Sequence, residues 1–327
     1  MCFKGVVLIY MSIKILGTGS YIPEKIITND DLANMVETSD EWIMQRVGIK
    51  QRHVSTDETT AMLAFNAAKD ALYDAQISPN EIDLIIAASI TSDTICPTVA
   101  GFVQRKLNAS CPAFDINSAC SGFLFALDCA VSYFSRENIN KILVIGAERL
   151  SKIVDWKDRS TCVIFGDGAG AFIIEKGDGY LASKIQTQGG NEVIEIPAFG
   201  GTSPFFERDL KAPFIFMDGQ ETFKFAVSRI VEDIKEVSKK AGISPEQIDY
   251  IVPHQANIRI IDFAAKRLGI PREKFVVNID KYGNTSSASI PIAFDELAKS
   301  GKLKMGDIVA MCAFGGGLSN AACIIKY

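Results

Sequence analysis

The chain has 327 residues, of which 34 are Lys or Arg and 39 are Asp or Glu, so its formal net charge is −5. This charge argues against extensive nucleic-acid binding, which usually needs a basic domain. The hydrophobic fraction of 48% argues against disorder, because it supplies enough apolar surface to bury. At roughly 150 residues per domain, the length fits two domains or one large one.

The N-terminal segment and the cysteines indicate the cellular compartment of the protein. The first apolar run, Val6–Ile9, is too short for a signal peptide and lacks a small-residue cleavage site. We expect the first ten residues to lie outside the fold, with Met11 as an alternative start. The eight cysteines form no CxxC pair, and His53 is far from His254, so we expect neither a disulfide framework nor a metal site. No segment is long and apolar enough to span a membrane, and we expect a cytoplasmic protein.

Strand-like and helix-like segments alternate along the chain, which indicates an α/β protein with covered sheets. In chain order, the apolar patterns predict a helix over 60–75, a strand over 82–90, a helix over 122–134, and strands over 141–145 and 172–175.

A nine-residue segment occurs twice, as Ile77–Ile85 and Ile243–Ile251, with six identical positions. In each copy a Ser-Pro pair suits the cap and first turn of a short helix. We interpret the repeat as a duplication that gives an N-terminal half over 11–175 and a C-terminal half over 219–327. The segment 176–218 then connects the halves. Its phenylalanines predict either a cover over a substrate channel or a packed loop; they are Phe205, Phe206, Phe214 and Phe216.

Three residues are candidates for chemistry. Cys120 lies between small residues where a strand is predicted to turn into a helix, whose N-terminus favours a thiolate. Taken alone, it is more typical of a buried structural cysteine, as are the other seven. His254 follows a predicted buried strand, at the edge where α/β proteins place ligands. Asn284 alone is typical of a turn and helix cap.

Together, Cys120, His254 and Asn284 predict a site at which a thiolate accepts an acyl group. Neutral His and Asn side chains can donate hydrogen bonds to a developing oxyanion. The run Gly315–Gly317 adds backbone N–H groups that no side chain obstructs, although it is also typical of a tight turn. Papain-like proteases use the same order of residues, but Ser121 stands where their signature has an aromatic residue.

These motifs resemble those of the β-ketoacyl-acyl-carrier-protein synthase III family, in the thiolase superfamily. The resemblance extends from about Ile13 to Tyr327, and its motifs are Gly17–Pro23, Thr38–Ile43, Ala119–Phe123, Phe165–Gly170, Pro253–Asn257 and Gly283–Ser286. It implies a five-layer αβαβα fold built from two similar halves, usually as a homodimer. It also implies a decarboxylative Claisen condensation that starts fatty-acid synthesis.

The resemblance assigns roles to the three candidates. Cys120 would attack an acyl-CoA and hold the acyl group, after which malonyl-acyl carrier protein would enter and lose carbon dioxide. His254 and Asn284 would stabilise the enolate. The backbone N–H groups of Cys120 and Gly316 would form the oxyanion hole. This chemistry needs no metal or redox cofactor.

Substrate contacts are also implied by the resemblance. Trp42 and Arg159 would sandwich the adenine of CoA, since a guanidinium and an indole both stack on a purine. Arg46 would contact a phosphate, and Asn257 the pantetheine arm. Without the resemblance, Trp42 reads as a partly buried surface aromatic residue.

An acidic carrier protein should dock on a local basic patch. Arg259, Lys266 and Arg267 fall on one face of a predicted helix, and we expect this face to be the docking site. A charge cluster is otherwise typical of solvated surface.

One position departs from a common family pattern, because Cys96 precedes Pro97 where many members have a Phe that reaches the neighbouring subunit's acyl pocket. The smaller residue would admit a longer or branched primer, unless compensation nearby keeps acetyl as the substrate.

Several rival functions remain. In a biosynthetic thiolase Cys312 would be a second catalytic cysteine, but its spacing from the glycine run is one residue too long. Elongating synthases use two His, which Asn284 argues against. A specialised-metabolism synthase would keep the same Cys-His-Asn set. A CoA-binding or scaffold protein would not need it.

Overall fold

The computed structural model describes residues 12–197, 204–205 and 212–327. The predictions about the first ten residues, Met11 and Phe206 lie outside these ranges. The strands are β1 Ile13–Tyr21, β2 Lys25–Thr28, β3 Gln51–Val54, β4 Leu84–Ala88, β5 Ala113–Ile116, β6 Lys141–Arg149, β7 Asp167–Lys176, β8 Tyr180–Thr187, β9 Ile194–Glu195, β10 Phe216–Met217, β11 Tyr250–Pro253, β12 Ile308–Gly315 and β13 Ser319–Lys326. The helices are α1 Asn29–Ala33, α2 Asp40–Arg46, α3 Thr60–Ala75, α4 Val99–Leu107, α5 Gly122–Tyr133, α6 Gly219–Ala241, α7 Ile258–Leu268, α8 Ile279–Tyr282 and α9 Ser289–Lys299.

Local capping explains where several elements begin and end. The helix predicted over 60–75 is confirmed, because Thr59 caps its first turn and Gln76 ends it in the left-handed conformation. Ser78 and Ser244 each form a capping box on a short 3₁₀ turn, as the repeated Ser-Pro pair predicts. The first of these turns ends at Ile82, so the strand expected over 82–90 is shorter and begins at Leu84.

Two sheets have the same pattern of strand pairing. The first has the order β1-β7-β6-β4-β5, in which the first two pairs are antiparallel and the last two parallel. The second has the order β8-β13-β12-β11, in which two antiparallel pairs precede a parallel one. A parallel bridge from Ile251 to Phe275 lies in the place that β5 takes in the first sheet. The matching order supports duplication.

Strand β8 changes one predicted boundary. Residues 180–187 pair with β13 and form the edge of the second sheet, although the sequence-based division places them in the connecting segment 176–218. The reason is that β8 corresponds to β1, so each half begins with an edge strand. Sequence repeats alone did not reveal this correspondence, because the quoted nine-residue match begins much later in each half.

The layers stack as helix, sheet, helix, sheet, helix, which confirms the five-layer αβαβα fold. One outer layer is α3 and α4, and α3 faces its sheet with small residues such as Ala64 and Ala71. The central layer is α5 and α9, where Phe123, Phe172 and Phe294 pack with ring centroids 4.8–4.9 Å apart. The other outer layer is α6 and α7. Among the described residues, no helix is long and apolar enough to cross a membrane.

Candidate active site

A cavity of about 640 Å³ brings the three candidate residues together. Cys120 precedes α5, His254 follows β11, and Asn284 precedes α9, and all three line the cavity. The strands and central helices converge here because the two halves face each other across the central layer. The structure thus gathers residues that are 164 positions apart at the extremes.

Cys120 lies in a 3₁₀ turn over Ala119–Ser121, directly before α5. Ala119 has φ +47°, so the turn uses the left-handed region that few non-glycine residues adopt. Gly315 packs against this turn, because a Cβ built there would lie 2.7 Å from the Cys120 backbone nitrogen. Ser319 ties the turn to the end of β12, since its hydroxyl contacts the carbonyl oxygens of Ser118 and Gly316.

The resting protonation state of Cys120 differs from the sequence expectation. Burial raises the pKa of Cys120 to about 12, while a hydrogen bond with the Ser286 side chain opposes the rise and nearby Glu148 adds to it. The partial charge at the start of α5 favours the thiolate, as expected, but burial outweighs it. The thiol is therefore neutral at physiological pH and needs a proton acceptor to become a nucleophile.

His254 is buried, and one of its ring nitrogens contacts a serine hydroxyl. Its Nδ1 lies 2.7 Å from Ser289 Oγ, which also lies 3.5 Å from the Gln255 backbone N–H. Because Ser289 Oγ accepts from the Gln255 N–H, its own proton is available to Nδ1, and in that arrangement Nε2 carries the imidazole proton. Burial lowers the pKa of His254 to about 3, so the imidazole is neutral, and its ring packs edge-on against Phe314.

Asn284 is oriented by a backbone hydrogen bond. Its Oδ1 accepts from the Ser286 N–H at 2.8 Å, and its backbone N–H donates to Ile164 O at 2.9 Å. With Oδ1 engaged, the amide NH₂ is the part of the side chain left to donate into the cavity. Gly316 also lines the cavity, beside Ala119 and Ile194.

Of the residues expected to bind CoA, Arg46 and Asn257 line the cavity, whereas Trp42 and Arg159 do not and lie beside Arg46. The guanidinium carbons of Arg159 and Arg46 lie 5.2 Å and 5.7 Å from the Trp42 ring centroid. Arg159 also donates to Glu37 O at 2.7 Å. Asn257 lines the cavity, but its side chain caps α7 and donates to Arg46 O at 3.1 Å.

The basic residues of α7 are exposed. Arg259 lies at the cavity and over the Phe223 ring, with Cζ 5.5 Å from the centroid. Arg267 lies over the Phe263 ring, and Lys266 is its neighbour in the last turn. The three side chains therefore extend from the cavity mouth along one exposed helix.

The connecting segment contributes aliphatic residues to the cavity. Ile194, Ile196, Ile215 and Met217 line it, whereas Phe214 and Phe216 are exposed. Side chains alternate along an extended strand, so one face of the β9–β10 ribbon is turned to the cavity. Phe205 is 94% exposed, and none of Phe205, Phe214 and Phe216 is among the residues that line the cavity.

Cys312 has no part in the cavity. Its side chain belongs to the apolar cluster between the second sheet and helices α6 and α7. Residues two apart on β12 point to the same face, so Phe314 shares that cluster, and Phe314 also lines the cavity. This placement argues against a thiolase with Cys312 as a second nucleophile.

Sequence reasoning missed three polar residues that support the site. Ser286 and Ser289 contact Cys120 and His254, and Glu148 is a fully buried acid near Cys120. A single carboxylate at the end of the apolar strand 141–149 was the available signal for Glu148. Ser286 stands at the end of the Gly283–Ser286 motif but received no role there, and Ser289 gave no signal, because serine is common at the start of a helix. Within the described ranges, no group of three His, Cys, Asp or Glu residues could hold a metal ion.

Known families match both halves of the chain. Residues 114–189 match 3-oxoacyl-[acyl-carrier-protein (ACP)] synthase III, and residues 238–327 match its C-terminal domain. The β-ketoacyl-[acyl-carrier-protein] synthase III of Clostridium acetobutylicum is 49% identical over 323 residues, which covers 97% of this chain and 99% of that protein.

Solved structures agree with the sequence relatives. The 3-oxoacyl-[acyl-carrier-protein] synthase III of Aquifex aeolicus has a TM-score of 0.90 at 46% identity, covering 97% of this chain and all of that one. The priming β-ketosynthase of the R1128 polyketide biosynthetic pathway has a TM-score of 0.89 at 32% identity, with 96% of each chain covered. From its fold, site and relatives, this chain belongs to the 3-oxoacyl-[acyl-carrier-protein] synthase III family of acyl-transferring condensing enzymes.

Proposed function

We propose that this enzyme condenses an acyl-CoA primer with malonyl-acyl carrier protein, with Cys120, His254 and Asn284 as its catalytic residues. The observation that carries the proposal is the convergence of these three side chains on one cavity. The family relationship supplies the reaction class, and the geometry supports a division of labour between the residues. The reaction starts fatty-acid synthesis.

The first half-reaction transfers the acyl group to Cys120. The sulfur attacks the thioester carbonyl, and the carbonyl oxygen becomes negatively charged. The backbone N–H groups of Cys120 and Gly316 donate to this oxygen, which stabilises the tetrahedral intermediate. CoA then leaves with a proton. The turn around Cys120 suits this role because the glycine at 315 lets two backbone segments approach closely.

The second half-reaction makes and uses a carbanion. Malonyl-acyl carrier protein loses carbon dioxide, and negative charge develops on the thioester oxygen of the resulting enolate. The Nε2–H of neutral His254 and the amide of Asn284 donate hydrogen bonds to this oxygen. The carbanion attacks the acyl-Cys120 carbonyl, and the thiolate of Cys120 leaves. Each step uses groups of the chain and of the two substrates.

CoA binds, in this proposal, at the exposed side of the cavity. The adenine stacks between Trp42 and Arg159 after Arg159 moves away from the indole, because its Cζ, 5.2 Å from the ring centroid, leaves no room for a purine between them. Arg46 binds a phosphate. Because the Asn257 side chain is committed to capping α7, its cavity-facing surface contacts the pantetheine arm.

Malonyl-acyl carrier protein docks, in this proposal, on the face formed by Arg259, Lys266 and Arg267. Arg259 links the face to the cavity mouth, so an acidic protein bound there could deliver its prosthetic arm. The attraction is local and does not depend on the overall charge of −5. We further propose a cytoplasmic homodimer, in which the exposed Cys96 favours a longer or branched primer.

A specialised-metabolism role is not favoured. The polyketide priming enzyme is 32% identical to this chain, against 46–49% for the fatty-acid enzymes. A non-catalytic CoA-binding role leaves the buried His254 and its hydrogen bond to Ser289 unexplained.

Mass spectrometry of the intact protein after incubation with acyl-CoA tests the proposal. We expect wild type to gain one acyl group and Cys120→Ala to gain none. Cys129→Ala is the matched control, because this cysteine is half-buried on α5 outside the cavity and its loss should preserve the adduct. Straight and branched primers should be compared in the same assay. Acylation of Cys120→Ala, or no adduct with any primer, would contradict the proposal.

A further inference from the structure

Glu148 is a buried carboxylate that the proposed reaction leaves without a role. It has 0% exposure and lies near the end of β6, facing the turns that carry Cys120 and Asn284. Its Oε2 accepts from Thr91 Oγ1 at 2.6 Å and from the Ile90 N–H at 3.1 Å. Its Oε1 lies 2.7 Å from Ser287 Oγ and 3.3 Å from Ser286 Oγ.

The surrounding hydroxyls suit both protonation states of Glu148. Ser287 Oγ lies 2.7 Å from Glu148 Oε1 and 3.0 Å from Ala88 O. When Glu148 is ionised, Ser287 donates to the carboxylate. When Oε1 carries a proton, it donates to Ser287 Oγ, which turns its own proton to Ala88 O. A buried group can therefore take up and release a proton here without losing its hydrogen bonds.

Ser286 connects this carboxylate to the nucleophile. Ser286 lines the cavity together with Cys120, its side chain interacts with the thiol, and its Oγ lies 3.3 Å from Glu148 Oε1. Its φ of +50° is another left-handed non-glycine position, so the local fold holds the hydroxyl between the two groups. We infer that Glu148 is the proton acceptor for Cys120, reached through the Ser286 hydroxyl. The inference rests on the proposed acyl transfer and deepens it.

The proton balance of this step is simple. As the Cys120 sulfur attacks the thioester, its proton passes to Ser286 Oγ while the Ser286 proton passes to Glu148 Oε1. A carbon–sulfur bond to Cys120 forms and the bond to CoA sulfur breaks. The CoA thiolate then takes up the proton that Glu148 gained and leaves as free CoA thiol, which restores the Glu148 carboxylate. His254 does not accept the Cys120 proton in this scheme, because its Nδ1 is hydrogen-bonded to Ser289.

Burial raises the pKa of Glu148 to about 7, which places it in the range useful for a base. The titratable groups that interact with Glu148 are the neutral Cys120 thiol and the Lys152 ammonium, which it attracts. Arg149 and Asp167, on the adjoining strand positions, interact with each other. The hydrogen bonds from Thr91 and Ser287 oppose the rise. The base is therefore active above about pH 7 and protonated below it.

Two rates test the inference, each followed from pH 5.5 to 9. They are single-turnover acylation of Cys120 by acyl-CoA and alkylation of Cys120 by iodoacetamide. In wild type, acylation should rise with pH through about 7. In Glu148→Gln, which mimics the protonated carboxyl, acylation at pH 7.5 should fall about 100-fold and lose this rise. Ser286→Ala should behave alike, and the double variant should be no slower than either.

If Glu148 acted on Cys120 only through its negative charge, Glu148→Gln would have the opposite effect on the acylation rate. Since Glu148 raises the pKa of Cys120, its removal should speed both reactions if its only effect were electrostatic. Equal or faster acylation in Glu148→Gln would therefore overturn the inference. Asp167→Asn is the control for losing a buried carboxylate: Asp167 is bonded by Ser151 and Ser55, and this variant should keep the pH dependence. Failure of wild type to acylate, with normal alkylation, would contradict the proposed function instead.

Discussion

Glu148 and Gly315 occupy the same place in the two halves of the molecule. Each is the eighth residue of its strand, β6 or β12, counted from Lys141 or Ile308. Glu148 faces Ser286 and Ser287, in the turn of the C-terminal half, and Gly315 packs against Cys120, in the turn of the N-terminal half. Each strand end therefore supports the turn that belongs to the other half.

The difference between these residues shows how one duplicated frame yields a site with two functions. The carboxylate of Glu148 accepts hydrogen bonds from neighbouring side chains and can hold a proton. Gly315 leaves its position without a side chain, so the backbones of β12 and Cys120 approach each other closely. In the proposed mechanism, acylation of Cys120 depends on both positions, whereas decarboxylation uses His254 and Asn284. Substitutions at these points should separate the two half-reactions.

Gly315→Ala should have the largest effect, because it adds a side chain where the backbones of β12 and the Cys120 turn leave no room for one. The added Cβ would lie 2.7 Å from the Cys120 nitrogen and displace the turn. We expect acylation to fall about 10³-fold, the cost of losing an oxyanion-hole donor. Stopped-flow release of CoA would measure it. Gly189→Ala is the control, since a Cβ there meets no atom within 4 Å. A loss below tenfold would show that the turn accommodates a side chain.

Ser289→Ala should have an intermediate effect, confined to the second half-reaction. Without the hydroxyl, His254 loses the hydrogen bond at its Nδ1. At about 1 kcal/mol for such a bond, decarboxylation of malonyl-acyl carrier protein should slow about five- to tenfold, while Cys120 acylation is preserved. Ser238→Ala, which removes another buried serine hydroxyl, should leave both rates intact. Equal slowing of both half-reactions by Ser289→Ala would contradict a role through His254.

Arg259→Glu should have the smallest effect on chemistry, because it changes only the approach of the carrier protein. The Michaelis constant for malonyl-acyl carrier protein should rise several-fold, and the rise should shrink at high salt. Lys235→Glu on α6, an exposed cation outside the proposed face, is the control for altered net charge. An unchanged Michaelis constant would place the docking site elsewhere.

Much of the fold was predictable because its signals are local. The helix over 60–75 follows from apolar spacing and Thr59, and the repeated Ser-Pro pair gave two capped turns and the duplication. Strand β8 was missed, since an edge strand with polar residues such as Lys184 and Gln186 resembles a connecting loop. It becomes a strand only by pairing with β13.

The sequence by itself determined the α/β class, the duplication and the residue types Cys, His and Asn, because periodicity and motif spacing are written along the chain. Tertiary structure alone decided the environment of each group. Burial makes the Cys120 thiol and the His254 imidazole neutral, and it places Glu148 behind Ser286. The protonation state of each group depends on solvent exclusion and on partners distant in sequence. Glu148 and Ser286, for example, are 138 positions apart. These relations exist only once the two halves have packed together.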